Sequence, residues 1–462
     1  MSEHKELREK LFIHYDNGGN TLDLGTIEKA MSFCEDYKDF LNAAKTEREC
    51  VKESVKRAEQ KGFVPFDPQQ AYRPGDKVYL NYKNKSLLLA VVGTEPLSEG
   101  VHIAAAHLDC PRLDFKPKPL YEEGHLGLFK THYYGGLKKY QWTTIPLAIH
   151  GVVIKADGEK LELNIGEKES DPVFVIGDLL PHLAAEQMKK TLAEGVTGEQ
   201  LNVIGGSLPY QGEGDDKIRL NVLNYLYEEY GMVEEDFISA DIEVVPAFKA
   251  RDIGFDRSLI GAYGHDDRVC AYTALMATLE AEKPAHTVLT VLADREEIGS
   301  CGVTGMKSDF FMNFLEDLCD GFGISVRRVL DKSRCLSADV SVAYDPSFPE
   351  VYERRNSAHI NHGTVLCKYT GARGKSSTSE ASAELMGEFR RMFNAGGVLW
   401  QTAELGKVDA GGGGTVASYI AERGIETVDL GVAVLSMHAP YECVSKIDTY
   451  MTFRAFQVFY ES

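Results

Sequence analysis

The sequence lacks three features that would place a protein in a membrane or on nucleic acid. No uninterrupted apolar run reaches the ~18 residues that a membrane-spanning helix needs. The first residues, MSEHKELREK, are charged at once and lack the apolar core of a signal peptide. Basic residues are few: Lys and Arg total 50 against 70 Asp and Glu, a formal net charge of −20. Nucleic acids and anionic membranes need a basic surface, so we expect neither as a partner.

The cysteines also lack a pattern. Nine are scattered from Cys34 to Cys443 without a CxxC pair. Because the number is odd and the chain is long, a disulfide framework is not expected, whereas a reducing compartment is. Together with the missing signal peptide and membrane span, this predicts a cytoplasmic protein.

The chain has the composition of a globular protein and the length of two domains. Its 462 residues are 44% hydrophobic and 26% charged, which argues against disorder, and one core rarely serves so long a chain. The character of the sequence changes after Pro111 and again near residue 253. We therefore expect a first part of the main domain at 1–112, an inserted β-rich domain at 113–252 and a second part of the main domain at 253–462.

Apolar strands alternate with helical segments in both parts of the main domain. The segments VHIAAAH, HTVLTVLA and ETVDLG are typical of strands, and RVCAYTALMATLEAE is typical of a helix. This alternation predicts an α/β fold with a mostly parallel central sheet flanked by helices on both faces. The insertion instead contains alternating segments such as LELNI, which indicate half-exposed strands.

Side chains that can bind metals follow several of the predicted strands. The carboxyl ends of strands in such a sheet form one edge, so residues far apart in sequence can converge there. The set comprises His107 with Asp109, Asp266 with Asp267, Glu296 with Glu297, Asp339 and His438.

Each position also has a simpler interpretation when it is considered alone. His107 could be a buried structural histidine, and Asp266 or Asp267 could cap the helix that follows. Glu296 and Glu297 could belong to a solvated loop. Asp339 could cap a turn, and His438 could be a structural histidine. The occurrence of all these residues at predicted strand ends favours one shared site.

Imidazole and carboxylate groups in one place suit a two-metal hydrolytic site. Two divalent cations ~3.5–4 Å apart need a bridging carboxylate and further carboxylate or imidazole ligands. This mixture suits zinc, with cobalt or manganese as alternatives. A nearby carboxylate that is not a ligand can take a proton from water and return it to a leaving amine. Asp109 could bind the second nitrogen of His107 and orient its ring.

The motifs, in their order, resemble the aspartyl aminopeptidase family of cocatalytic-metal aminopeptidases. The motifs are AAAHLDCPRLDFKP, DDR, DREEIGS, SADVS and SMHAPYE. YKDFLNAAKTERE, THYYGG with IPLAIHG, and GGTVASYIAERGIETVDLG extend the resemblance over most of the chain. The resemblance implies an aminopeptidase that removes N-terminal residues from peptides, with a preference for Asp or Glu. It further implies that the insertion forms dimers within a homo-oligomer, often of twelve subunits.

The resemblance also implies the metal ligands. His107 and Asp339 would hold one ion, Glu297 and His438 would hold the second, and Asp266 would bridge the two. The family often has Leu-Asp-Asn at the bridging position, whereas His265 and Asp267 flank Asp266 here.

The same resemblance implies the remaining roles. Glu296 would be the general base, and Asp109 would orient His107. His150 would enter the active site of a neighbouring subunit, and Lys368 would contact an acidic substrate side chain. Lys375 stands nearby where the family often has an aromatic residue.

Two further features leave alternatives open. The run GGGG at 411–414, which includes Gly413, could bring backbone close to substrate or metals, or could be a strand-to-helix turn. Consecutive side chains at an extended strand end point in opposite directions, so Glu296 and Glu297 could divide the roles of base and ligand. The same residues would also suit a two-metal deacylase or carboxypeptidase, and a non-catalytic scaffold could retain the fold.

Overall fold

The computed structural model describes residues 3–13 and 15–462. Within these ranges the helices are α1 (Glu3–Leu11), α2 (Gly18–Thr21), α3 (Leu24–Ala43), α4 (Glu47–Gln60), α5 (Leu192–Gly195), α6 (Lys217–Tyr230), α7 (His265–Glu280), α8 (Phe310–Gly321), α9 (Val326–Leu330), α10 (Ala383–Ala395), α11 (Ala417–Ala421) and α12 (Lys446–Glu461). None of these helices has both the length and the apolar character needed to span a bilayer.

The strands of the same ranges are β1 (Val64–Pro65), β2 (Lys77–Tyr82), β3 (Ser86–Val91), β4 (Val101–His107), β5 (Arg112–Glu123), β6 (Leu126–Tyr134), β7 (Leu147–Ile154), β8 (Lys160–Ile165), β9 (Asn202–Gly206), β10 (Ala240–Pro246), β11 (Arg251–Ile253), β12 (Leu259–Ala262), β13 (Thr287–Ala293), β14 (Arg334–Ala338), β15 (Ser341–Val342), β16 (Thr364–Cys367), β17 (Trp400–Gln401), β18 (Glu426–Gly431), β19 (Ala433–Leu435) and β20 (Glu442–Ser445).

A nine-stranded sheet forms the centre of the main domain, in the order β1-β2-β3-β13-β4-β14-β18-β16-β17. Its middle strands, β13, β4, β14 and β18, are parallel, and every residue of β4 is buried. The contacts of β3 with β13 and of β16 with β18 are antiparallel. The α/β prediction is confirmed, with a parallel centre and mixed edges.

Helices cover both faces of this sheet. On one face α3, α4, α7, α10 and α12 form a core that includes Phe40, Leu275 and Phe456. On the other face α8, α9 and α11 pack through residues such as Phe314 and Ile420. Because both faces are covered, the edge at the carboxyl ends of the parallel strands remains for a site.

The inserted residues form a separate antiparallel sheet with its own core. Its order is β8-β7-β10-β5-β6-β9, and its buried residues form a cluster apart from the main-domain cores. It begins at Arg112 and its last strand ends at Pro246. Strand β11 belongs to a third sheet, β11-β12-β20-β19-β15. The inserted sheet therefore ends a few residues before the boundary at 252 that the sequence suggested.

Gly431, the last residue of β18, allows the chain after β14 to pass close by. A Cβ atom at this position would lie 1.7 Å from the carbonyl oxygen of Asp339, and the Asp339 amide donates to the Leu430 carbonyl at 3.1 Å. A side chain at 431 would therefore displace the backbone that carries Asp339.

Gly431→Ala should lower both the melting temperature and the affinity for divalent metal. Overpacking of this kind typically costs about 1–3 kcal/mol or more. Gly387→Ala is the matched control, because its Cβ would make only an ordinary contact at 3.6 Å on α10 and alanine favours a helix. Differential scanning fluorimetry and metal titration would check both variants. Equal melting temperatures and equal metal affinities of the two variants would contradict the steric argument.

Candidate metal centre

Three neighbouring parallel strands of the central sheet deliver four of the candidate residues. His107 is the last residue of β4, and Asp339 directly follows β14. Glu296 and Glu297 come shortly after β13. Since β13, β4 and β14 are adjacent and parallel, these side chains emerge at the same edge of the sheet.

The third sheet delivers the other two ligand candidates. Asp266 lies at the start of α7, which follows β12, and His438 follows β19. Asp266 and Asp267 have non-helical backbone angles and are joined by a cis peptide bond. Regular helical geometry therefore begins only after Asp267, and the helix-cap interpretation of that residue stays a prediction.

One carboxylate lies at the centre of the cluster. Asp266 Oδ1 is 3.2 Å from His107 Nε2, and Asp266 Oδ2 is 3.2 Å from His438 Nε2. His107 Nε2 also lies 3.8 Å from Asp339 Oδ1, and His438 Nε2 lies 3.6 Å from Glu297 Oε1. The five predicted ligands are thus brought together, with each Asp266 oxygen facing a different imidazole.

The donor set fits a bound cation. Potential ligand atoms of His107, Asp266 and Glu297 lie within 4.8 Å of one another, as do those of His107, Asp267 and Asp339. Asp266 Oδ1, Asp267 Oδ1 and Glu297 Oε1 are buried without a hydrogen-bond donor. Buried carboxylate oxygens are costly unless a donor or a cation compensates them.

The pKa values of the cluster reflect a shortage of positive charge around its carboxylates. Burial raises the pKa of Glu297 well above its usual value, and the charge of Asp266 adds to this. Burial opposes protonation of His438, but its hydrogen bond to Asp266 and the charge of Glu297 raise its pKa to about 10. A bound cation would reverse these shifts, because it stabilises the carboxylates and the neutral imidazoles.

Asp109 lies next to the cluster and connects several of its segments by hydrogen bonds. This fully buried carboxylate accepts hydrogen bonds from the amides of Glu296 at 3.0 Å and Glu297 at 3.1 Å. It also accepts one from the Tyr134 hydroxyl at 2.8 Å. His107 Nδ1 lies 3.5 Å from Asp109 Oδ1 and 2.9 Å from the Asp109 carbonyl oxygen. His107 Nδ1 therefore faces Asp109, and Nε2 faces the other ligands.

The two glutamates do not continue an extended strand. Arg295 has a left-handed backbone conformation, with φ of 69°, and Glu296–Ile298 form a short 3-10 turn. The strand-end alternation expected from the sequence is therefore wrong as the geometrical reason for their separation. Three residues per turn direct neighbouring side chains about 120° apart. This still separates Glu297, which faces His438, from Glu296.

Two further carboxylates contribute, Asp267 from the predicted set and Glu442, which the sequence did not single out. Glu442 is buried and accepts hydrogen bonds from the amides of His438 at 2.7 Å and Asp266 at 3.0 Å. Asp267 accepts from the amide of His107 at 3.3 Å. The DDR motif contained Asp267, but nothing in the local pattern around Glu442 indicates that its partners are backbone amides of two other motifs.

His150 does not join this cluster in its own chain. It lies on β7 with 1% of its surface exposed. Its Nδ1 is 2.8 Å from Glu49 Oε1, and its Nε2 is 3.2 Å from Glu167 Oε1. Burial lowers the pKa of His150, but hydrogen bonds to Glu167 and Glu49 outweigh this and raise it. Within one subunit the ring links α4 to the inserted domain.

The candidate substrate residues lie on two neighbouring loops. Lys368 follows β16, is 43% exposed, and has its Nζ 3.8 Å from Glu380 Oε1. Lys375 lies 2.7 Å from the same oxygen. The Gly413 carbonyl accepts a hydrogen bond from the Gly371 amide at 2.6 Å.

Close backbone packing explains part of the glycine run. A Cβ at Gly411 would lie 1.8 Å from the Leu405 carbonyl oxygen, and one at Gly412 would lie 1.8 Å from the Gly371 oxygen. The turn interpretation thus accounts for these two glycines. Contact of Gly413 with substrate stays a prediction.

Comparison with known proteins shows to which family the chain belongs. The profile of the family "Aminopeptidase I zinc metalloprotease (M18)" matches residues 40–460. The chain belongs to the M18 family of aminopeptidases. It is therefore a metallo-aminopeptidase of a zinc-dependent family, and the family resemblance noted in the sequence is confirmed.

Relatives and solved structures cover nearly the whole chain. The "Probable M18 family aminopeptidase 1" of Clostridium acetobutylicum is 47% identical over 458 residues, 97% of this chain and 98% of that protein. The crystal structure of aminopeptidase I from the same organism has a TM-score of 0.93 at 46% identity and covers 98% of this chain and all of its own. The M18 aminopeptidase structure from Thermotoga maritima also has a TM-score of 0.93, at 44% identity, and covers 97% and 100% of the two chains.

Proposed function

We propose that this aminopeptidase uses two divalent cations held by one shared carboxylate. Asp266 would bridge the ions, His107 with Asp339 would hold one, and Glu297 with His438 would hold the other. The observation that carries this proposal is the position of Asp266, whose two oxygens face two different imidazoles at 3.2 Å each. Imidazole and carboxylate ligands without thiolate suit zinc, and cobalt or manganese could replace it.

When bound, the cations would polarise the scissile carbonyl and increase the acidity of a water molecule. The protein itself would supply the proton acceptor. Burial raises the pKa of the Glu296 carboxyl to about 8, with Asp339, Asp109 and Asp266 adding to this and His107 opposing it. Bound cations would lower this pKa again, so that Glu296 could accept a proton as a carboxylate and then release it to a leaving amine. Asp109 would hold Glu296 in place through its amide.

The two adjacent glutamates should respond differently to the same substitution. Glu297→Gln should weaken metal binding by more than about 100-fold, beyond what loss of an outer-shell partner costs. Glu296→Gln should keep its metal and lose about 10²- to 10⁴-fold in kcat, the usual contribution of a general base. Metal content by plasma mass spectrometry and peptide turnover would separate the two effects. Normal metal content and normal turnover in both variants would contradict the assignment.

We further propose that the enzyme favours peptides with an N-terminal Asp or Glu. A cavity of about 340 Å³, which begins at Tyr369 next to Lys368 in the chain, is lined in part by Arg373, Lys375 and Lys407 and by one carboxylate, Glu404. This local cluster of cations suits an acidic side chain, in a protein whose net charge is otherwise −20. Lys375 is the more constrained lysine, because its Nζ lies 4.0 Å from the ring centroid of Tyr369 and 2.7 Å from Glu380. Lys368 is therefore the freer group to contact substrate.

A panel of chromogenic aminoacyl substrates would test this preference. The wild-type enzyme should turn over Asp and Glu substrates faster than Leu substrates. A chelator should abolish all turnover, and zinc, cobalt or manganese should restore it. Lys368→Ala should reduce kcat/KM for the acidic substrates about tenfold or more, since hydrogen bonds to charged groups contribute ~1.5–3 kcal/mol.

Lys332→Ala, which removes an exposed lysine paired with Glu99, is the control and should not change the ranking. A larger effect of Lys375→Ala would transfer the role to that residue. A preference for Leu in the wild type would contradict the acidic specificity while leaving the aminopeptidase activity in place. Amine-blocked substrates should be rejected, which separates this activity from that of a deacylase.

We also propose a homo-oligomer, a dodecamer built from dimers, with the inserted domain at the subunit contacts. The chain between β8 and α6 exposes several large apolar side chains. Those with at least half of their surface accessible include Leu179, Leu180, Leu183, Met188, Leu192 and Leu208. An apolar surface of this kind suits contact with another protein surface. A distantly similar solved structure, at 21% identity, is described as the S. cerevesiae mApe1 dodecamer.

His150 would act in a neighbouring subunit only after leaving Glu49 and Glu167. His150→Phe should then lower kcat strongly and leave metal content unchanged, as measured by steady-state kinetics and plasma mass spectrometry. His132→Phe is the control, since His132 is an exposed histidine on β6. An unchanged kcat with a lower melting temperature would show that His150 serves only the ion-pair network within its own chain.

The remaining expectations concern partners and compartment. The nine cysteines are all free thiols in the structure, which fits the reducing, cytoplasmic location that we propose. Peptides are the expected substrates. The acidic net charge supports the proposal that neither nucleic acid nor an anionic membrane is a partner.

A further inference from the structure

The inserted domain contacts the metal centre directly through three consecutive residues. Tyr134 ends β6, and Gly135 and Gly136 follow it. The Tyr134 hydroxyl donates to Asp109 Oδ2 at 2.8 Å. The carbonyl oxygen of Gly136 lies 2.7 Å from His438 Nδ1. These contacts lie behind both histidine ligands.

Gly135 brings this segment against a third site residue. Its φ is +73°, and a Cβ at this position would lie 3.3 Å from Glu297 Cβ and 3.4 Å from Glu297 Oε2. Both the backbone conformation and the contact therefore favour glycine. The segment Tyr134–Gly136 thus packs along the ligand cluster over its whole length.

The contact at Gly136 determines which nitrogen of His438 is available. A backbone carbonyl can only accept, so Nδ1 must carry the proton and donate to it. His438 Nε2, which faces Asp266 at 3.2 Å and Glu297 at 3.6 Å, is then the nitrogen that can bind a cation. A hydrogen bond of this kind sets both the tautomer and the ring orientation of a metal-binding histidine.

The contact at Tyr134 acts on the other histidine through Asp109. Asp109 is fully buried and holds the amides of Glu296 and Glu297 as well as facing His107. Loss of the Tyr134 donor would leave the Glu297 amide as the donor to Asp109 Oδ2. Asp109 would then be held less firmly, and with it the turn that carries the two glutamates and the carbonyl oxygen that His107 Nδ1 contacts at 2.9 Å.

Tyr134 is itself fixed by the inserted sheet. It pairs with Arg112 across β5 and β6, and the Arg112 guanidinium carbon lies 3.9 Å from its ring centroid. Arg112 is held in turn by Asp114 at 2.9 Å and Glu243 at 3.2 Å. Arg112 also lies 3.5 Å from Glu47 of α4, so the hydroxyl is held at the junction of the inserted domain with the main domain.

We propose that the segment Tyr134–Gly136 positions the metal ligands, so that the inserted domain sets the affinity of the main domain for its metals. Tyr134 would orient His107 and the Glu296–Glu297 turn through Asp109, and Gly136 would orient His438. This inference rests on the proposed metal centre. It gives the insertion a second role in addition to subunit contacts: a change in how it sits on the main domain would change metal occupancy.

Tyr134→Phe in the full-length protein tests this inference, because it removes one hydroxyl and keeps the ring that Arg112 contacts. The dissociation constant for zinc, measured by competition with a chromogenic chelator, should rise up to about 10-fold, since Tyr134 acts one contact beyond the outer-shell partners whose loss costs about 10- to 100-fold. Tyr133→Phe is the matched control: it removes the same group one residue away, from a side chain that is 42% exposed, and should bind zinc as the wild type does.

A purely structural hydrogen bond would give a different result. It would lower the melting temperature of the metal-free protein and leave zinc affinity unchanged, and this outcome would overturn the inference. If the wild type binds zinc but cleaves no peptide, the proposed function fails while the comparison of Tyr134→Phe with Tyr133→Phe still decides the inference. A wild type that binds no divalent metal would overturn both.

Discussion

The structure depends on the convergence of buried carboxylates that outnumber the positive groups around them. Asp109, Asp266 and Asp267 are all less than 5% exposed, and Glu297 and Asp339 join them around two imidazoles. Removing a charged group from water costs several kcal/mol unless a partner compensates it. Protonated histidines compensate only part of this charge, and several carboxylate oxygens have no donor. Divalent cations are the groups that would best compensate the negative charge of this cluster. The same arrangement of ligands suits the catalysis that we propose.

This electrostatic requirement explains why so much of the fold meets at one point. The central sheet supplies three of the five proposed ligands, and the third sheet supplies the other two. Backbone amides donate to Asp109 and Glu442, so that each of these side chains connects two separate segments. Such amide contacts hold a carboxylate in place and satisfy its lone pairs. The ligands are therefore fixed by several distant parts of the chain at once.

Much of the main domain could be predicted from the sequence because its signals are local. The buried strand β4 is continuously apolar, and α7 follows a helical pattern without Gly or Pro. Ordered motifs at the ends of β4, β13 and β14 then indicated the ligands, and parallel topology explains why they meet. The roles of Tyr134 and Gly136 had no such signal. Their contacts cross from the insertion to the main domain. The contact of Gly136 is made by its backbone carbonyl oxygen, which every residue has, so the residue type gives no sign of it.

The pair Glu296–Glu297 shows where local reasoning about side-chain direction used the wrong geometry. An extended strand would have sent the two side chains to opposite sides, but the chain turns at Arg295 into a 3-10 turn. Asp109 binds both amides and thereby fixes the turn relative to His107. Glu297 Oε1 faces His438, whereas the charges of His107, Asp339 and Asp109 act on Glu296. These different environments of two identical side chains, rather than their sequence positions, are the basis of the separate roles that we propose for them.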